Sequence, residues 1–179
     1  MTITRWFLLV LLMTGLLSGC TGTPKGVTPV QGFQTVRYLG TWYEIARLDH
    51  SFERGLVDVS TNYQRRADGG IDVLNKGYNP DKQAWKEAKG RAYFIDSPQT
   101  GSLKVSFFGP FYGAYHVMAL DPDYRWAMVA GPSHDYLWIL SRTPSLPEAV
   151  VTDLMETARQ AGFDLSSLIR VSQQQALQK

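Results

Sequence analysis

The chain holds one cysteine, Cys20, in 179 residues. A single thiol excludes a disulfide within the chain, so the fold rests on its core and not on covalent staples. Histidine is equally scarce. His50, His116 and His134 include no i, i+4 pair and no neighbouring cysteine, which argues against a zinc site. No basic block stands out. Of the 18 Lys and Arg only Arg5 precedes residue 20, and 16 Asp and Glu balance the rest, so nucleic acid is not an expected partner. There is no G-x-S-x-G elbow. Ser133-His134-Asp135 carries the letters of a hydrolytic triad, but three consecutive side chains do not converge, and Gly131-Pro132 marks a turn there. Glu44 and Glu87 have no carboxylate partner that the sequence places beside them, so no catalytic role and no cofactor are expected. No apolar run reaches the ~20 residues of a membrane-spanning helix.

What is present begins at the N-terminus. Arg5, the apolar run Trp6 to Met13, and the small pair Ser18-Gly19 make the pattern of a secretory signal peptide over residues 1–19. Leu17-Ser18-Gly19-Cys20 resembles the lipobox of bacterial lipoprotein precursors. That resemblance implies cleavage before Cys20, acyl chains on its sulfur and amino group, and a mature chain of 160 residues (179 less 19). Thr21 stands where an aspartate would retain such a protein at the inner membrane, so the implied address is the periplasmic face of the outer membrane. Residues 20–32, with Thr23-Pro24-Lys25-Gly26, read as a lipidated start and a flexible tether. A main domain is expected over 33–172 and a frayed Gln-rich tail over 173–179.

From Trp42 to Arg142 the chain breaks at turn chemistry: Asp68-Gly-Gly70, Asn79-Pro-Asp81, Asp96-Ser-Pro98, Gly109-Pro110, Asp121-Pro-Asp123 and Gly131-Pro132. Between the breaks lie runs of about 8–12 residues rich in aromatic and β-branched side chains, the rhythm of an all-β sandwich or barrel. Eight strands are expected, near 42–50, 57–66, 71–78, 83–95, 102–108, 114–120, 125–130 and 136–142. Tyr136-Leu-Trp-Ile-Leu140 is apolar on both faces, so something must cover its outside. The one convincing helix, near 146–161, supplies the cover. Ser145 and Glu148 form a candidate capping box around Pro147, Val150, Leu154, Ala158 and Ala161 make an apolar stripe, and Gly162 stops it. A short strand is expected within Leu165 to Val171.

Eight up-and-down antiparallel strands with one late helix outside are lipocalin-like. Gly40-Thr41-Trp42 resembles the G-x-W signature that opens the first strand of that family. Asp121 to Tyr124 lies where the family carries a T-D-Y-like turn, with Leu120 in place of the threonine. Arg142 matches the arginine that ends the last strand and packs over the signature tryptophan at the closed base. Tyr38 to Ala46, Phe52 to Gly55, Asn75 to Tyr78 and Trp138 to Pro144 extend the resemblance to the bacterial lipoprotein branch of the family.

The resemblance implies a lipid carrier or store in the cell envelope, for fatty acids and lysophospholipids, serving membrane maintenance under stress. It places Val59, Thr61, Tyr63, Tyr93, Val105, Phe107, Tyr115 and Val117 on the cavity lining. Trp138 and Leu140 share the face of Arg142 by strand parity and join them. Ordinary core filling is the competing account of any one of these aromatics, because small barrels also fill with side chains. Gly40, Trp42, Asp121 and Arg142 are assigned to the structural base. His116 has the opposite parity to Tyr115 and is expected outside, where it offers no haem ligand. Phe108 to Tyr112 forms an aromatic loop suited to a homodimer contact or a membrane surface. The alternative function is therefore an envelope scaffold or dimeric interaction protein whose barrel is not primarily a carrier.

Overall fold

The computed structural model describes residues 21–174, so the expected signal peptide, Cys20 and residues 175–179 lie outside the described part. Strands run over Gly40–Leu48 (β1), Val57–Arg65 (β2), Ile71–Asn79 (β3), Ala84–Phe94 (β4), Ser102–Phe108 (β5), Phe111–Leu120 (β6), Trp126–Ala130 (β7) and Leu137–Ser141 (β8). Each pairs antiparallel with the next, and β8 and β2 both pair with β1, which closes an eight-stranded barrel. A ninth strand, Leu168–Arg170 (β9), adds to the far half of β1.

The helix over Glu148–Gln160 (α2) lies outside the barrel. Its Val151, Leu154 and Ala158, followed by Ala161, pack on Ile45, Leu48, Met128, Leu137 and Ile139. This burial explains the strand that is apolar on both faces: Leu137 and Ile139 meet the helix, while Trp138 and Leu140 belong to the interior cluster. The expected capping box does not form. Pro147 is the N-cap, and no side chain caps the helix. The Thr143 hydroxyl instead donates to the Ser145 carbonyl at 2.7 Å, so packing, not capping, holds this helix.

Among the described residues, those that flank the barrel on either side are held to it. The expected tether is pinned to the barrel. A ring nitrogen of His116, Nε2, sits 3.2 Å from the Gly22 carbonyl, and His134 Nε2 sits 3.0 Å from the Lys25 carbonyl. Pro24 and Val27 are buried. Gln173, assigned to the frayed tail, is buried too. Its Nε2 donates to the carbonyls of Glu44 at 2.9 Å and Val59 at 2.7 Å. These two bonds bridge β1 and β2 beyond Tyr43 and Ser60, where their own pairing stops.

Candidate ligand-binding barrel interior

The alternating hairpins give the barrel two different ends. At one end the one-turn helix Thr35–Tyr38 (α1) and Trp42 form a floor. Trp42 has no exposed surface, and the Arg142 guanidinium carbon stands 3.9 Å over its ring. Arg142 is locked by donating to the carbonyls of Arg37 at 2.6 Å, Thr41 at 2.9 Å and Tyr124 at 3.3 Å. Trp42 Nε1 donates to the Tyr38 carbonyl at 2.8 Å. Gly40 has φ +91°, a left-handed backbone that favours glycine, and it lies directly beside the Arg142 guanidinium. Asp121 caps the adjacent turn, accepting from the backbone of Asp123 and from the Arg125 guanidinium at 2.8 Å. The cation–π stack and these bonds keep water out through the floor.

Above the floor three tyrosines meet. The Tyr115 hydroxyl lies 2.7 Å from that of Tyr38 and 2.8 Å from that of Tyr63. Burial raises the Tyr38 and Tyr115 pKa values well above the usual tyrosine range and that of Tyr63 to about 12, so all three phenols stay neutral. Three hydroxyl protons serve two such contacts, leaving one over. Val73, Ala92, Val105, Phe107, Val117 and Leu140 complete the apolar wall.

Toward the other end, ringed by loops 49–56, 80–83, 109–110 and 131–136, the interior turns polar. A bulge between Glu44 and Ala46 inserts Ile45 into the outer core. It puts Ala46 opposite Ile139 and turns both Glu44 and Arg47 inward, opposite Leu140 and Trp138. Arg47, 1% exposed, donates to Glu44 Oε1 at 2.7 Å and to the carbonyls of Glu53 and Leu56 at 2.9 and 3.2 Å. Trp138 Nε1 donates to Glu53 Oε2 at 3.1 Å. His50 Nε2 lies 3.1 Å from the same oxygen, though off the hydrogen-bond line. Burial, reinforced by Glu53 and opposed by Arg47, raises the Glu44 pKa well above the carboxylate range. His50, Phe52, Tyr136 and Trp138 pack ring against ring over the cluster, with His50 and Phe52 stacked at 3.9 Å.

Most of the expected lining is found inside. Thr61, Tyr63, Val105, Phe107, Tyr115, Val117, Trp138 and Leu140 face or pack against the interior, while Val59 packs with Leu56 and Val171 nearer the polar end. Tyr93 is a correction. Ala92 pairs with Val105 and takes the inner face, so Tyr93 points out, where its hydroxyl donates to Asp68 at 3.0 Å. Glu44 and Glu87 each pair with a cation, Arg47 within the barrel and Lys76 at 2.7 Å on the outside. His116 is outside as expected, covered by the N-terminal segment and 2.9 Å from the Ser102 hydroxyl. Arg47, His50 and Glu53 escaped the sequence reading. Strand parity from Trp42 points to Glu44, but the bulge that brings Arg47 in leaves no mark in composition. In the 133–135 turn Ser133 donates to Asp135, while His134 faces the Lys25 and Ala161 carbonyls, so no triad forms. Two open clefts of about 310 and 250 Å³ flank the end of α2 and lie outside the barrel.

A closed up-and-down barrel with a stacked floor, an apolar wall and a polar cluster toward the loops is an architecture shared by small-ligand-binding barrels. The comparisons with known proteins agree. Residues 33–173 match the model of the lipocalin-like domain. The chain is 57% identical over 150 residues to the outer membrane lipoprotein Blc of Escherichia coli K12, covering 84% of this chain and 85% of that one. It is 52% identical over 166 residues to the protein of the same name from Vibrio cholerae, covering 92% and 97%. Among solved structures, insecticyanin from the tobacco hornworm superposes with a TM-score of 0.67 at 20% identity, covering 84% and 86%, which is a likeness of fold. The chain belongs to the lipocalin family.

Proposed function

We propose that this protein is an outer-membrane lipoprotein, acylated on Cys20, whose barrel binds lysophospholipids and fatty acids and stores or carries them within the bacterial envelope. Membrane maintenance under stress would be its use. The name shared by the relatives from E. coli and V. cholerae supports the membrane address. The lipobox-like Leu17 to Cys20 supports the anchor.

The gradient inside the barrel carries the ligand reading. Its floor is closed by Trp42 and Arg142, its wall is apolar, and polar groups gather at the loop end around Arg47, Glu53 and Trp138. An amphiphile fits that gradient with its chain down and its head beside the polar cluster. Burying ~12 methylenes contributes roughly 10 kcal/mol gross, at ~0.8 kcal/mol each. Association entropy and the ligand's alternative refuge in a bilayer offset much of it. The test is a titration with lysophospholipid followed by tryptophan fluorescence, since Trp138 lies in the path of the head group. A saturable change is expected. A flat titration, with no lipid on the protein as purified, would remove the carrier role.

A further inference from the structure

We propose that the barrel rests on the membrane that holds its acyl anchor by the outer face of β4, β5 and β6, with Phe108 and Phe111 inserted into the lipid beside the loop end of the barrel. The proposal builds on the acylation of Cys20 and specifies how the anchored protein is oriented.

Three observations converge on one flank. The first is the shortness of the free leader. Gly22 is held against His116 on β6, and Lys25 against His134. Cys20 precedes Gly22 by two residues, a reach of at most about 7 Å. Acyl chains on Cys20 would therefore leave the protein at the outer face of β6, not from the end of a long tether. The second is the tip of the β5–β6 hairpin. Phe108 and Phe111 are 81% and 78% exposed, and among the described residues neither has a ring partner. The other exposed rings of that end differ, since Phe52 stacks on His50 and Trp85 leans on Tyr78. Phe111 and His116 sit on one strand, five residues or roughly 17 Å apart. By the two-residue period Phe111 has the parity of Tyr115, so it stands at the rim of the loop end above the outer face that carries His116.

The third observation is what lies alongside. Tyr93 and Tyr112 meet edge to face on the outer surface, with the Lys104 ammonium 5.3 Å from the Tyr112 ring. Lys89 and Arg91 share the outer face of β4 with Tyr93 and are exposed. Tyrosine with lysine and arginine is the chemistry of a lipid headgroup layer, and the cations suit anionic lipids. Two bare phenylalanines are unfavourable in water and gain from burial in acyl chains. An anchor at one point and an apolar tip at a second fix the flank between them against the bilayer, which sets the barrel's loop end where a lipid leaves the membrane.

The full acylated protein supplies the test, because acylation blocks its only thiol and a single new cysteine can be labelled. Phe111→Cys and Val36→Cys, the latter 68% exposed at the opposite end, are each labelled with an environment-sensitive fluorophore. Both are reconstituted in phosphatidylethanolamine–phosphatidylglycerol vesicles with and without brominated lipid. The label at 111 should brighten several-fold and be quenched by brominated lipid, while the label at 36 stays solvent-like. In the Phe108→Ser/Phe111→Ser variant, uptake of lysolipid from donor vesicles should slow at least tenfold, with equilibrium binding of free lysolipid unchanged. A label at 111 as wet as that at 36 overturns the docking. A blue-shifted label that brominated lipid does not quench also overturns it, in favour of a second copy of the chain covering the tip. An unmodified Cys20 in the intact mass instead overturns the anchor reading beneath it, and the two failures are distinct.

Discussion

Replacing Arg47 with methionine should cost about 3–5 kcal/mol of folding stability, because it strips the donor from several buried acceptors at once. The structure explains why so much is at stake. The guanidinium is 1% exposed and serves the Glu44 carboxyl and the carbonyls of Glu53 and Leu56. Methionine fills much of the volume but satisfies none of the three, and each orphaned buried acceptor costs about 1–3 kcal/mol. The loss should also depend on pH. Arg47 is the group that pulls the Glu44 pKa down against burial and Glu53, so without it that pKa rises further. Between the ordinary carboxylate pKa and the raised folded value, the unfolded chain ionises and the folded one does not. Stability from this group is therefore full below the unfolded pKa and falls as pH rises, so Arg47→Met should be mildest near pH 4 and worst near pH 8. Adding Glu44→Leu removes the carboxyl, and the double variant should recover at least ~1 kcal/mol of the loss. Urea unfolding followed by tryptophan fluorescence reads both effects. A loss below about 1 kcal/mol in Arg47→Met, or no recovery in the double variant, would refute the description of this cluster as a buried, mutually dependent network.

Trp42→Ala should remove roughly 3–5 kcal/mol and lower Tm by about 10 °C or more, with a smaller change in lysolipid affinity, because the ring closes the floor and is not a ligand contact; an unchanged melting temperature contradicts the plug. Above pH 10 the unfolded tyrosines ionise while Tyr38, Tyr63 and Tyr115 stay protonated. Stability should therefore fall between pH 10 and about 12, by about 2–3 kcal/mol from Tyr63 alone. Absorbance at alkaline pH should show three phenols ionising only as the barrel unfolds, and nine tyrosines titrating together before unfolding would contradict their burial.

The strands were legible because turn residues punctuate them. Expected and observed spans agree to within about three residues, from Gly40 to Ser141. The helix was legible from its stripe and its glycine stop, although Val151, not Val150, is the fully buried member. Tyr93 shares its parity with Glu87, Lys89 and Arg91, an outward signal in the strand itself that the family resemblance overrode, and the pairing of Ala92 with Val105 confirms its side. What the sequence hid is set by partners remote in the chain. The bulge at Ile45 shifts the side-chain period by one residue without changing composition, which concealed Arg47 and with it the polar end of the barrel. Thr23 to Gly26 has the composition of a tether, yet histidines 94 and 109 residues away along the chain hold it down. Local chemistry reports the elements, and register and long-range contacts decide which side chains meet.

Under the proposed function the barrel holds a lipid with its chain above Trp42 and its head beside Arg47 and Glu53. Native mass spectrometry of the protein extracted gently from membranes, followed by identification of whatever it releases, tests that most directly. One lysophospholipid or fatty acid per barrel is predicted, diminished in a variant that fills the interior such as Ala92→Trp but retained in Tyr93→Ala, which alters only the outer face. A chain that carries no lipid, or carries it equally in Ala92→Trp, would contradict the account.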